Sequence, residues 1–576
     1  MAVRFGRIAL TSGVVISLAA LGTAGGQAWA SSGAAQSTGT IVEALAPQTE
    51  VTWYNPLQNS ANDTLLNSQV GYMLYMPLIY INANYQVDYQ YSVAKRVTYN
   101  KAGTVYHVYL NPKYKWSDGA PVTSADVLWT WHIIQAISST KAPSPWPYAN
   151  ADFGDIPNGV KSVVANGKYA LTVTLNAPTN QEWFIYDGLS QLLPLPKQAW
   201  DKYPQNMSKE IAYLGQEATN PKFDSVVDGP YTLASAVPSQ AWKFAVNKHY
   251  TGGPLAHDNI TLEYEGSDEA EFAALQTRTV QLGYLDLSEW GARRALQGID
   301  NLWAGYNLGY DFLAVNMNAN AANGLGPVFS QLYVRQAIAE AIDQNAIDQD
   351  IYHGYAPPQY GPIPTRPVTV FLDPALRQPV YPFNLAHAKA LLTSHGWKEI
   401  HGVMTKDGQS LAFPLMYASG NQTTVQTVTL VQSDLAKIGI KVTLEPKTST
   451  TELSIVTGEP SQWDAVGAFG ITFSGYYPAG DAVFYSGGGL DFFGWHNTQE
   501  DDLIDDFQHK PATSLAANLQ AYFNFEEYTA KELPVIFMNR PGTIEAVATN
   551  LHGVNLATLN PVTGYGEPQL WSLSAS

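Results

Sequence analysis

The chain has 576 residues, of which 45% are hydrophobic and 12% aromatic; this is the composition of a folded protein, and the length calls for two to four domains. Its formal charge is −18, with 31 basic residues against 49 acids, which argues against nucleic acid and anionic lipid surfaces, since both need a basic face. There is no cysteine, which removes disulfides, thiol nucleophiles, thiolate metal sites and a lipid-bearing N-terminal Cys.

Arg4 and Arg7 precede a small apolar stretch, Ile8 to Ala24, and Ala28-Trp29-Ala30 fits a cleavage site. Residues 1–30 therefore read as a secretory signal peptide with a mature start near Ser31. A membrane anchor is the competing reading, weakened by Thr11, Ser12, Gly13 and Ser17 inside the stretch. No later segment approaches 18 uninterrupted apolar residues. The protein is expected to be exported, to the periplasm or to the outer cell surface and medium, without a Cys-linked lipid. Residues 31–40 are small and polar, a flexible leader.

Beyond the leader, alternation predicts strands over 104–110, 171–175 and 260–264. Thr123 or Ser124 caps a helix whose Val127, Trp131 and Ile134 share one face. Val334, Ile338, Ala341 and Ile342 mark a second helix. Asn384 caps a third, closed by Gly396. Val428, Val431, Leu435 and Ile438 line a fourth, stopped by Gly439 before the strand Ile440–Leu444. Alternation of helix and strand without a repeat predicts a mixed α/β or α+β fold.

Enzyme signatures are missing: no G-x-S-x-G elbow, H-E-x-x-H, Walker loop or G-x-G-x-x-G occurs. Gly487-Gly488-Gly489 reads as a loop. His249 and His257, and His395 and His401, are not spaced as helical metal pairs. The acidic run Glu500–Asp506 lacks calcium-loop spacing and reads as a solvated helix face. No metal or cofactor is expected. Aromatic content is the unusual feature, with 15 Trp and 34 Tyr. Some lie in Gly- and Pro-rich stretches: Trp146 and Tyr148; Phe473, Tyr476 and Tyr477 around Gly475; and Trp495. Aromatic faces of this kind line clefts for peptide planes, apolar groups or sugar rings.

Five collinear segments carry a resemblance. They are Tyr114-Lys115-Trp116-Ser117-Asp118-Gly119-Ala120-Pro121-Val122-Thr123 with Ala125-Asp126-Val127; Asp228-Gly229-Pro230-Tyr231-Thr232-Leu233; Val334-Arg335-Gln336-Ala337-Ile338 with Ala341-Ile342-Asp343; Asn384 to Trp397; and Leu435 to Val442. Together they resemble family 5 extracellular solute-binding proteins, the oligopeptide, dipeptide and nickel receptors of ABC importers. In the first, Asp118 and Gly119 are expected to supply the unusual backbone angles of a turn.

The resemblance implies a two-lobed periplasmic-binding-protein-like fold with an additional third domain and a discontinuous first lobe. Domain I takes 41–75, 194–305 and 536–576, domain II takes 76–193, and domain III takes 306–535. It implies an exported receptor that captures a short peptide between its lobes and delivers it to ABC permease subunits, as a monomer. Trp146, Tyr148, Phe473, Gly475, Tyr476, Tyr477, Asp481 and Trp495 are the candidate ligand-binding residues. Peptide receptors of the family carry an Asp that pairs with the ligand's amino terminus. Here that position holds Gly475 or Tyr476, and the next acid is Asp481. Either Asp481 or another acid substitutes, or the ligand lacks a free amino terminus and is an oligosaccharide or other uncharged solute, as in some family members. An exported hydrolase is the third reading.

Overall fold

The computed structural model describes residues 39–574, apart from 48, 60, 140, 257, 420, 474, 476, 489, 513 and 555–563 and the side chains of 449, 450, 481 and 515. The expected signal peptide, nearly all of the leader, His257 and Tyr476 thus lie outside the described residues. The strands in chain order are β1 (Thr40–Ala44), β2 (Ala94–Tyr99), β3 (Val105–Leu110), β4 (Val160–Ala165), β5 (Ala170–Leu175), β6 (Tyr231–Val237), β7 (Ala241–Val246), β8 (Asn259–Glu263), β9 (Leu282–Leu285), β10 (Asp300–Gly305) and β11 (Gly309–Val315). They continue with β12 (Lys398–Ile400), β13 (Val403–Lys406), β14 (Gln409–Ser410), β15 (Ala412–Ala418), β16 (Lys441–Lys447), β17 (Ala465–Thr472), β18 (Ile536–Met538) and β19 (Thr543–Ala548).

Three sheets organise the molecule. One has seven strands in the order β10-β19-β9-β1-β8-β7-β6, a second has five in the order β16-β15-β17-β11-β18, and a third has four in the order β2-β3-β5-β4. The chain passes between the seven- and five-stranded sheets twice, from β10 to β11 and back from β18 to β19. These passes run antiparallel on both sides, β10 against β19 and β11 against β18. A two-strand ribbon is the kind of connection about which two bodies can hinge, because few torsions carry the motion.

Local chemistry explains the elements read from sequence. The helix Ser124–Ile137 starts at Thr123, whose N–H and hydroxyl both meet Asp126 Oδ2 at 2.8 Å. Val127, Trp131 and Ile134 are buried along one face. The helix Leu385–Ser394 is capped by Asn384, whose side chain accepts from the His387 N–H at 3.0 Å. Gly439, at φ 82°, reverses the chain from the helix Gln422–Lys437 into β16. The Trp116–Gly119 turn differs in one respect. Only Gly119 takes positive φ, 90°, while Asp118 accepts the Ala120 N–H at 2.8 Å. The Asp therefore serves by its side-chain oxygen and not by an unusual backbone angle.

Candidate functional site

β17 pairs with β11 and leads into the loop 473–480. Phe473 donates its N–H to Leu308 O at 3.2 Å and sets its ring 5.4 Å from Tyr310. Tyr477 is 1% exposed, packed on Phe371 at 4.8 Å and Tyr522 at 5.7 Å. The Tyr522 hydroxyl donates to Pro478 O at 2.6 Å. An aromatic cluster thus fixes the loop's far end. Burial, with the Glu182 charge adding to it, pushes the Tyr477 phenol up and keeps it neutral.

The loop leans on the segment 180–191. Asn180 accepts from Glu182 N at 3.0 Å and starts the turns that carry Asp187. Asp187 is fully buried, and its Oδ1 accepts the Tyr477 N–H at 2.9 Å. Gly475 has room for no side chain: a Cβ there would lie 2.3 Å from Phe153 Cζ and 2.4 Å from Asp187 Oδ1. The Asp187 carboxylate therefore occupies the space that a side chain at 475 would fill. Gln191 donates to Asp187 O at 2.6 Å and to Phe153 O at 2.8 Å, and accepts from the Tyr148 hydroxyl at 3.1 Å.

Phe473, Gly475 and Tyr477 are thus brought together, with Tyr148 joined through Gln191. Trp146 lies elsewhere, donating to Ile211 O at 2.8 Å and packed edge-on to Trp53. Trp495 donates to Glu500 Oε2 at 2.7 Å and lies under the Arg335 guanidinium. Glu500 itself is buried, is held by Thr529 as well, and is pushed up to about 7 by burial. The acidic run is thus not wholly a solvated face: its first member turns inward. Asp481 opens the short helix Asp481–Phe484. Sequence reasoning missed Asp187, whose signal is an acid alone in the apolar run Trp183 to Leu195.

Two further features frame the loop. At the ribbon, Arg540 pairs with Asp311 and donates to Asn307 and to Thr472 Oγ1 at 3.3 Å. At the other side, Asn180 donates to Phe507 O at 2.7 Å, Ala512 N to Gln181 Oε1 at 2.7 Å, and His509 lies 3.6 Å from Asp155. The segment 180–191 is thereby seated against the helix Thr498–Gln508 and the turn that follows it.

Sheets joined by a two-strand ribbon, with the loop after β17 resting on the buried Asp187 carboxylate, are the frame of a two-lobed binding protein. Residues 88–489 match bacterial extracellular solute-binding proteins, family 5 (middle), and the chain belongs to this family. The oligopeptide-binding protein AppA of Bacillus subtilis (strain 168) is 24% identical over 518 residues, covering 88% of this chain and 87% of AppA. The structure of Bacillus subtilis AppA in complex with a nonapeptide superposes with a TM-score of 0.73 at 22% identity, over 94% of this chain and 100% of that one. NikZ from Campylobacter jejuni, in complex with Ni(L-His), gives 0.73 at 20% identity, over 92% and 99%. These likenesses establish the two-lobed fold. Among the described residues, no helix is long and apolar enough to cross a membrane.

Proposed function

We propose that this receptor captures a short peptide with a free amino terminus between its lobes and delivers it to the permease subunits of an ABC importer. In this reading 41–75, 194–305 and 536–576 form the first lobe, 76–193 the domain beside it, and 306–535 the domain that closes. The observation that carries it is Asp187. A peptide ammonium held away from water needs a carboxylate, since an unpaired buried charge costs several kcal/mol. The loop 473–480 offers no acid of its own before Asp481, yet a carboxylate stands beside Gly475. Residues 1–30 act as the export signal in the same reading, and the mature chain works as a monomer. The relative AppA, an oligopeptide-binding protein, supports the ligand class.

Titration calorimetry with a panel of short peptides, each free and N-acetylated, tests this. Free peptides should bind and their acetylated forms should lose most of the affinity. Binding of neutral oligosaccharides with none of any peptide would sink the proposal.

A further inference from the structure

A cavity of about 60 Å³ lies against the seven-stranded sheet, bordered by Glu43, Glu545, Tyr284, Leu66, Gln69 and the chain after β1. The register sets the two acids on one face. Glu43 stands opposite Leu282, and Glu545 stands opposite Tyr284, on the two sides of β9. Leu282 and Tyr284 are two residues apart in β9, so all four side chains leave the sheet on the same side. The opposite side carries Ala44, Leu285, Ile544 and Ala546 packed on Leu275, with the buried Glu271 carboxylate against Gly283 and accepting the Tyr284 N–H at 2.8 Å.

On the cavity side, Ile41 and Leu45 flank Glu43 in the alternating pattern, and Val547 follows Glu545. Ile41, Leu45 and Val547 belong to the main core. The acids therefore occupy positions where strand alternation calls for apolar residues. Breaks of that kind belong to function more often than to stability.

The acids have little protein company. Glu43 is half-buried and Glu545 is 4% exposed, and among the described residues the one hydrogen bond to Glu545 is a long contact, 3.4 Å, from Thr543 Oγ1 to Oε1. Its Oε2, and both oxygens of Glu43, meet no hydrogen-bond donor or ion-pair partner among the described residues. Burial pushes Glu43 up to about 7, and burial followed by the Glu43 charge pushes Glu545 well up. Two carboxyl groups so placed hold protons in place of full charge, and both ionise only when a cation lies between them. Among the described residues no group of three or more His, Cys, Asp or Glu could hold a metal ion, and hard divalent cations want six or more oxygens or bound water. An ammonium brings three donors of its own. A water needs about 10–15 Å³ of such space, so this cavity has room for the aminomethyl end of a chain.

We propose that this cavity is a subsite for a primary ammonium group, with the Glu43 and Glu545 carboxylates as its acceptors. The ammonium comes from one of two sources, the lysine-type side chain of a captured ligand or a free amine. The assignment does not rest on the peptide reading.

Thermal unfolding in methylammonium chloride against sodium chloride at equal ionic strength tests it, on the full mature chain, Glu43→Gln and Glu545→Gln. Methylammonium should raise the wild-type Tm and leave both variants unmoved. Calorimetry with Ala-Lys-Ala and Ala-norleucine-Ala separates the sources. A tenfold or greater preference for lysine, erased in the variants, assigns the ammonium to the ligand. Equal affinities with a retained methylammonium shift assign it to a free amine. If neither tripeptide binds, the peptide reading suffers and the methylammonium arm still decides. Equal Tm in the two salts with no lysine preference overturns the subsite, as does a methylammonium shift that persists in both variants. Should either variant fail to fold, Glu43→Asp or Glu545→Asp takes its place in the comparison.

Discussion

The main-chain N–H of Tyr477 donates to Asp187 Oδ1 at 2.9 Å, joining positions 290 residues apart. The relationship ties a loop at the end of the five-stranded sheet to a turn that follows the four-stranded one. It puts a carboxylate next to Gly475. Asp187→Asn keeps an acceptor for the Tyr477 N–H but removes the charge. Affinity for a free peptide should fall by roughly 2–5 kcal/mol, as when one partner of a buried charge pair is removed. Asp481→Asn should cost less. Calorimetry on both variants decides, and the reverse order would place the ammonium at the helix Asp481–Phe484.

Gly475 is the steric counterpart. A methyl there would press on Phe153 Cζ and Asp187 Oδ1 at 2.3 and 2.4 Å, closer than van der Waals contact allows. Gly475→Ala should therefore hold the loop away from the 180–191 segment. Small-angle scattering should show a larger radius of gyration at saturating ligand than for wild type, and the Kd should rise. An unchanged radius and Kd would mean that the contact is not part of closure.

Elements bounded by local chemistry were legible in the sequence. Thr123 with Asp126, Asn384 and Gly439 work within a few residues of the backbone they cap or reverse. The Asp187 contact was not legible, because nothing near residue 187 refers to residue 477. Trp146 and Trp495 show another limit. An indole in a Gly- or Pro-rich stretch reads the same whether it faces a cleft or finds a buried acceptor, and here the acceptors are Ile211 O and Glu500. Glu500 could have been read better. It shares the i, i+4, i+7 face with Ile504 and Phe507, and all three are buried.

His509 offers a pH handle on the seating of 180–191. The groups facing it are Asp155 at 3.6 Å, Asp505 at 3.1 Å and the Trp183 ring at 5.4 Å. Its pKa is raised, first by the Asp155 carboxylate, against the effect of burial. A raised folded-state pKa stabilises the fold fully below the unfolded value of about 6.5 and loses that effect as pH rises through the folded value. His509→Gln should therefore lower the urea midpoint near pH 5.5 and leave it nearly unchanged near pH 8.5. An equal loss at both values would assign His509 a packing role only.

Arg540 and Asp311 form the ion pair at the two-strand ribbon, with side chains 8% and 17% exposed. Burial pushes Asp311 up, while Arg540 holds it down. Removing only the cation leaves a buried carboxylate unpaired, so Arg540→Ala should cost roughly 3–5 kcal/mol of stability, the usual result of breaking a buried pair. Asp311→Asn in the same chain should recover part of that loss, since the orphaned charge is gone, and a double-mutant cycle in urea isolates the coupling. The pair also constrains motion. Asn307 and Thr472 share the same guanidinium, which ties one connector of the ribbon to the end of β17. The double variant, stable enough to compare, should show a larger ligand-free radius of gyration than wild type, with a slower approach to the closed form on adding ligand. Full additivity of the two substitutions, with an unchanged radius, would reduce the pair to one contact among many and move the hinge away from 306–308 and 539–542.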